Sequence, residues 1–78
     1  IKTLYYMNKK NKIKIVVNGR LLTVNIKFSL KKLIEKLKTP INKVAIELNE
    51  EIIDKKKLNK TYLKNKDKIE IVHFIGGG

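Results

Sequence analysis

Asn18-Gly19 lies between two apolar runs, IKIVV and RLLTVNI, and this dipeptide constrains the fold more than any other feature of the chain. A two-residue type I′ turn needs both central residues at positive φ, which Asn and Gly adopt most cheaply, so the segment reads as a β-hairpin. Register follows from the turn. With Val17 opposite Arg20, Ile15 faces Leu22 and Ile13 faces Val24, which puts four apolar residues on one face as a core requires. The opposite face receives Val16 against Leu21 and Lys14 against Thr23.

Downstream, Ser29 is an N-cap candidate for a short helix in which Leu30, Leu33, Ile34 and Leu37 form one apolar stripe. Thr39-Pro40 is expected to end it, because proline disfavours helical geometry in the residue before it. VAIEL (44–48) alternates as a strand and EIID (51–54) reads as a second, short one. KKKLNKTYLKNKDK is a polar connection anchored by Leu58, Tyr62 and Leu63. In the last strand, KIEIVHFI, residues Ile69, Ile71, His73 and Ile75 share one face and Glu70, Val72 and Phe74 the other. The order predicts an α+β layout, with one helix packed on a mixed sheet of four to five strands. A loosely ordered extension is expected over 1–12, the domain over 13–75 and a flexible glycine tail over 76–78.

The chain of 78 residues is long enough for one core and too short for a two-lobed active site with its own cofactor pocket. It has no cysteine, which removes disulfides, thiolate metal sites and a persulfide held on the protein itself. No apolar run approaches the ~18 residues of a membrane span, and the reading is of a soluble, unsecreted protein with no membrane partner. The net charge of +12 invites a nucleic-acid reading. However, 18 of the 19 basic residues are Lys, and Lys, Ile and Asn together fill 38 of 78 positions, as an A/T-rich coding sequence imposes. The lysines are scattered through helix, loops and termini, so a solvated surface is the preferred reading and nucleic acid is set aside as a partner.

Gly76-Gly77-Gly78 supplies three of the four glycines. At average glycine usage such a terminal triplet arises by chance about 3 times in 10,000. A glycine inside a chain serves a turn, but here no turn follows. A segment without side chains can instead thread a narrow channel and carry a carboxylate about 10 Å beyond Ile75 into a partner's active site.

The hairpin VVNGR, the helix LKKLIEKL, the strand VAIELN with EEII, and above all KDKIEIVHFIGGG, taken in this order and spacing, resemble the ThiS family of thiamine sulfur carriers. That family belongs to the β-grasp superfamily, which also holds ubiquitin. The resemblance covers about residues 13 to 78. It departs at Asn49-Glu50, where the family often has Asn-Gly, and at Lys66-Asp67, where it often has Gly-Asp. The resemblance implies a carrier and co-substrate, not an enzyme, with no bound cofactor. Gly78 would be adenylated by a ubiquitin-activating-type enzyme using MgATP. It would then become a thiocarboxylate with sulfur from a cysteine desulfurase or another persulfide donor, and pass that sulfur to thiazole synthase. The implied location is a bacterial cytoplasm or a plastid stroma.

Docking of such a tail calls for an exposed apolar patch beside it. Val16, Leu21, Val72 and Phe74 lie on the side away from the helix and, together with Ile75 at the strand end, form the expected partner surface. An alternative reading covers this face with the N-terminal extension through Tyr5 or Tyr6. His73, the single histidine, reads as a strand residue, and no metal site is expected. Glu50, Glu51 and Asp54 read as a solvated turn. Three rival functions stay open: a molybdopterin-synthase sulfur carrier, a ubiquitin-like protein modifier and a basic nucleic-acid-binding module.

Overall fold

The computed structural model describes residues 11–74. Strands β1 (Lys12–Val17) and β2 (Arg20–Asn25) form the hairpin. Asn18 and Gly19 both have positive φ, at 48° and 81°, and Val17 is paired with Arg20, so the turn is of type I′ and the register is the expected one. The first strand begins one residue before the apolar alternation, at Lys12, and the carbonyl of Asn11 still accepts a bond from the Ile26 N–H at 2.7 Å. Of the expected N-terminal extension, residues 1–10 lie outside the described residues.

The α-helix found among the described residues, α1, spans Leu30–Lys36, and Ser29 caps it by accepting from the Lys32 N–H at 3.1 Å. Its end differs from the expectation. The helix stops before Thr39-Pro40 because Lys38 adopts φ 55°, with Lys38 N–H bonding to Glu35 C=O and Thr39 N–H to Ile34 C=O. Those two bonds are a Schellman closure, which satisfies the last carbonyls without requiring the proline. As a result the apolar stripe is shorter than its spacing suggests. Leu30, Leu33 and Ile34 are buried, whereas Leu37 is the C-cap and remains 39% exposed.

Strands β3 (Val44–Leu48), β4 (Glu51–Ile52) and β5 (Lys68–His73) complete the sheet, in the order β2-β1-β5-β3-β4. β1 and β5 are parallel neighbours in the middle, and the other pairs are antiparallel. This mixed five-stranded sheet under one helix is the β-grasp arrangement. The core lies between α1 and one sheet face, where Ile15, Val44, Ile46 and Ile69 meet Leu30, Leu33 and Ile34. The polar connection is more ordered than its composition suggests. Asp54 caps a 3₁₀ segment, Lys55–Lys60, by accepting from the Lys56 N–H, so one of the three acidic residues read as a solvated turn is a cap. Leu58 and Leu63 are buried anchors, but Tyr62 is not: it is 57% exposed.

The two departures from the family pattern have a shared geometry. Asn49 and Glu50 form the two-residue turn between β3 and β4 with φ 52° and 73°, and Lys66 has φ 73°. Glu50 and Lys66, the positions where the family often has glycine, therefore sit in the left-handed region that glycine adopts without strain. Asn49 and Asp67 hold the two loops together. Asp67, buried, accepts from Asn49 Nδ2 at 2.9 Å and from the Lys64 N–H at 2.7 Å, while Asn49 Oδ1 accepts from the Lys68 N–H at 2.9 Å.

Candidate functional site

The route to the glycine tail is built by β5. Its early residues lie against β1, with Lys68 beside Val16 and Ile69 beside Val17, after which β1 turns away at Asn18. The side chain of Asn18 then takes the place of a strand: its Oδ1 accepts from the Ile71 N–H at 2.7 Å and its Nδ2 donates to the Ile71 carbonyl at 3.3 Å. Beyond that clamp β5 is held on the other side by β3, with Val72 opposite Ala45, His73 opposite Val44, and the Phe74 N–H bonded to the Lys43 carbonyl at 2.9 Å. The C-terminal part of the strand thus projects past the hairpin turn. Asn18 reads from sequence only as a turn residue. The second role depends on a contact across 53 residues of chain, which no local pattern reports.

Alternation along the strands puts Val16, Leu21, Val72 and Phe74 on the face away from α1, as expected. Leu21, Val72 and Phe74 are 66%, 51% and 47% exposed, and Val16 is half-buried. The four do not form one contiguous patch. Val16 pairs with Leu21, but Val72 lies four residues beyond Lys68, the residue beside Val16, a separation of about 13 Å along the strand. Val72 neighbours Ala45 instead, and Lys55 Nζ sits 5.3 Å from the centre of the Phe74 ring, a cation–π contact. Ile52, 75% exposed and opposite Glu47, adds an apolar residue that the sequence reading missed because a two-residue strand shows no period.

Between these apolar groups, Glu47 and Glu70 face each other directly across β3 and β5, both half-buried. His73 is exposed at the strand end, paired in register with Val44. No group of three or more His, Cys, Asp or Glu able to hold a metal occurs among the described residues, and no helix among them is long and apolar enough to cross a membrane. Ile75, Gly76, Gly77 and Gly78 lie outside the described residues.

The sequence profile described as the ThiS family matches residues 15–78, most of the chain and its whole glycine tail. A solved structure described as the thiamine biosynthesis protein ThiS from Geobacter metallireducens superposes with a TM-score of 0.75 at 30% identity, over 85% of this chain and all of that one. An uncharacterized protein, ycf40, from Porphyra purpurea is 33% identical over 92% of this chain and its own full length. The sulfur carrier protein ThiS of Bacillus subtilis is 53% identical over 35 residues, 45% of this chain and 53% of that protein. A thiazole synthase from Paramagnetospirillum magneticum is 36% identical over 66 residues, which are 85% of this chain but 20% of the synthase.

Proposed function

The chain belongs to the ThiS family and is a β-grasp sulfur carrier of thiazole biosynthesis, not an enzyme, and on that premise we propose that the Gly78 carboxylate is the atom group that carries the sulfur. A carboxylate is a poor acyl donor because it is anionic, resonance-stabilised and has no good leaving group. Attack of Gly78 on the α-phosphate of MgATP, in the active site of a ubiquitin-activating-type partner, releases pyrophosphate and leaves an acyl adenylate. A persulfide sulfur, from a cysteine desulfurase or an equivalent donor, then attacks the carbonyl and expels AMP. Cleavage of the resulting acyl disulfide by a thiol leaves the thiocarboxylate on the terminus. The absence of cysteine from the chain fits this route, since the sulfur needs no side chain of the carrier.

The observation that carries this reading is the family match, which spans residues 15–78 and so takes in the three glycines. Gly76 and Gly77 serve as the thread that lets Gly78 reach a buried reaction centre. The outer face of the sheet serves as the docking surface through two separate apolar groups, Val16 with Leu21 and Val72 with Phe74, and Ile75 is assigned to it as well. Thiazole synthase is the acceptor, a partnership supported by the synthase whose own chain includes a segment similar to this one. A plastid stroma or a bacterial cytoplasm is the setting, supported by the A/T-rich composition and the relative from Porphyra purpurea.

The test is intact-protein mass spectrometry after incubation with a thiamine-pathway adenylating enzyme, MgATP and a sulfur donor, comparing the full chain with one lacking Gly77-Gly78. A mass gain equal to exchange of one oxygen for sulfur, confined to the full chain, is the expected result. An unchanged mass in both would overturn the assignment.

A further inference from the structure

Asn18 does more than its turn requires. A type I′ turn also accepts Asp or Gly at its first central position, but only Asn brings one acceptor and one donor in the geometry of a peptide group. Both are used on β5. The carbonyls of Asp67 and Ile69 accept from the backbone N–H groups of Val16 and Asn18, each at 2.9 Å. One step further, where β1 has ended, the Asn18 side chain accepts from the Ile71 N–H at 2.7 Å and donates to the Ile71 carbonyl at 3.3 Å. The hairpin side of β5 is thus held at every second residue, Asp67, Ile69 and Ile71, and the last hold is a side chain.

That hold lies three residues before Phe74, from which the chain continues into Ile75 and the glycines. On the opposite side the Phe74 N–H is tied to the Lys43 carbonyl at 2.9 Å. Together the two contacts fix the strand end in the sheet. The reach that remains is short. Four residues follow Phe74, and fully extended they span at most about 14 Å, so any drift of the strand end is taken from the reach of Gly78. Reacting atoms must come within about 3 to 3.5 Å of each other, and misplacement by about 1 Å can cost about 100-fold in rate. We infer that Asn18 is a positioning residue of the carrier: its amide fixes the point from which the glycine tail leaves the sheet, and so sets how often Gly78 reaches ATP in the docked complex. The inference rests on the assignment of the activated carboxylate to Gly78 given above.

The test is steady-state exchange of labelled pyrophosphate into ATP by a thiamine-pathway adenylating enzyme, with the full-length carrier as the varied substrate, at a temperature where circular dichroism shows each variant folded. Asn18→Gly keeps the turn and removes the clamp. It should lower kcat about 5- to 20-fold and leave KM within about twofold, because docking is intact while placement of Gly78 is not. Ser29→Ala is the control for stability alone. It removes the α1 cap beyond the end of β2, away from the hairpin turn, at a loss of the same order, and should keep the parent's kcat. Asn18→Asp keeps the acceptor for the Ile71 N–H and loses only the donor to its carbonyl. Its kcat should lie between those of the parent and Asn18→Gly, and it answers the same question if Asn18→Gly does not fold. Parental kcat in the Asn18 variants, a loss confined to KM, or an equal loss of kcat in Ser29→Ala would each overturn the inference and leave the carrier reading standing. No exchange with the parent itself would remove the Gly78 assignment, and the inference with it.

Discussion

Two hairpin turns of one type have opposite relations to their sequences. Asn18-Gly19 fills a type I′ turn with residues that suit positive φ, and Asn18 also clamps Ile71 through its amide. Asn49-Glu50 fills the second with a glutamate at φ 73°. The two positions should therefore respond to glycine with opposite signs. Glu50→Gly removes left-handed strain and should stabilise the fold by about 1 kcal/mol, partly offset by the greater freedom of glycine in the unfolded chain. Asn18→Gly keeps the turn but leaves the Ile71 N–H and C=O without partners, and should cost about 1 to 2 kcal/mol. In a domain of this size such changes move the melting temperature by several degrees in either direction. Hydrogen exchange at the Ile71 amide should accelerate in Asn18→Gly and stay unchanged in Glu50→Gly. The turns and their register were legible in the sequence because a two-residue loop transmits its geometry directly to both strands. The clamp was not, since it depends on where β5 comes to lie.

Elements were legible as far as their own periodicity reached. Residues Leu30, Leu33 and Ile34 repeat every three to four positions and are buried on the sheet, as the stripe required. Leu37 continues the repeat, but Lys38 has already left the helix through a backbone closure that depends on a left-handed lysine rather than on any breaker residue. The same limit applies to Tyr62, an apolar-looking anchor that forms only an isolated bridge with Ser29 and stays largely in water. Truncation should expose the distinction. Leu33→Ala removes a fully buried side chain between helix and sheet and should cost about 2 to 5 kcal/mol, depending on how far the cavity collapses. Leu37→Ala, one turn later on the same nominal stripe, should cost less than half as much. Urea titrations of the two variants check the comparison. Equal losses would mean that the helix packs through its last turn as well.

Function divides the whole molecule between its two ends. At one end β5 runs past the hairpin, and Phe74 is held by the Lys43 carbonyl where the chain heads for its glycines. At the other, where β2 ends and α1 begins, a concavity of about 760 Å³ is lined by Lys27, Lys31 and Lys32 together with Ser29, Glu35, Asn59 and Tyr62. Composition could not tell whether the charge of +12 served a ligand or only solvation, because sequence counts lysines without placing them. The length of β1 separates this basic end from the turn beside which β5 runs on towards Phe74. Lys12 is paired with Asn25 beside the concavity, and Val17 leads into the turn that clamps the exit strand. On the proposed function, transfer uses the exit end of β5 and the outer face of the sheet, not the lysine-lined concavity. Replacing Lys27, Lys31 and Lys32 together with Gln should therefore lower retention on heparin, which reads exposed positive charge, and leave the yield of thiocarboxylate unchanged. The two readouts answer different questions on the same protein. A parallel loss of both would tie the lysine-lined end to recognition by the activating partner, and the charge would then belong to the function instead of to the solvated surface.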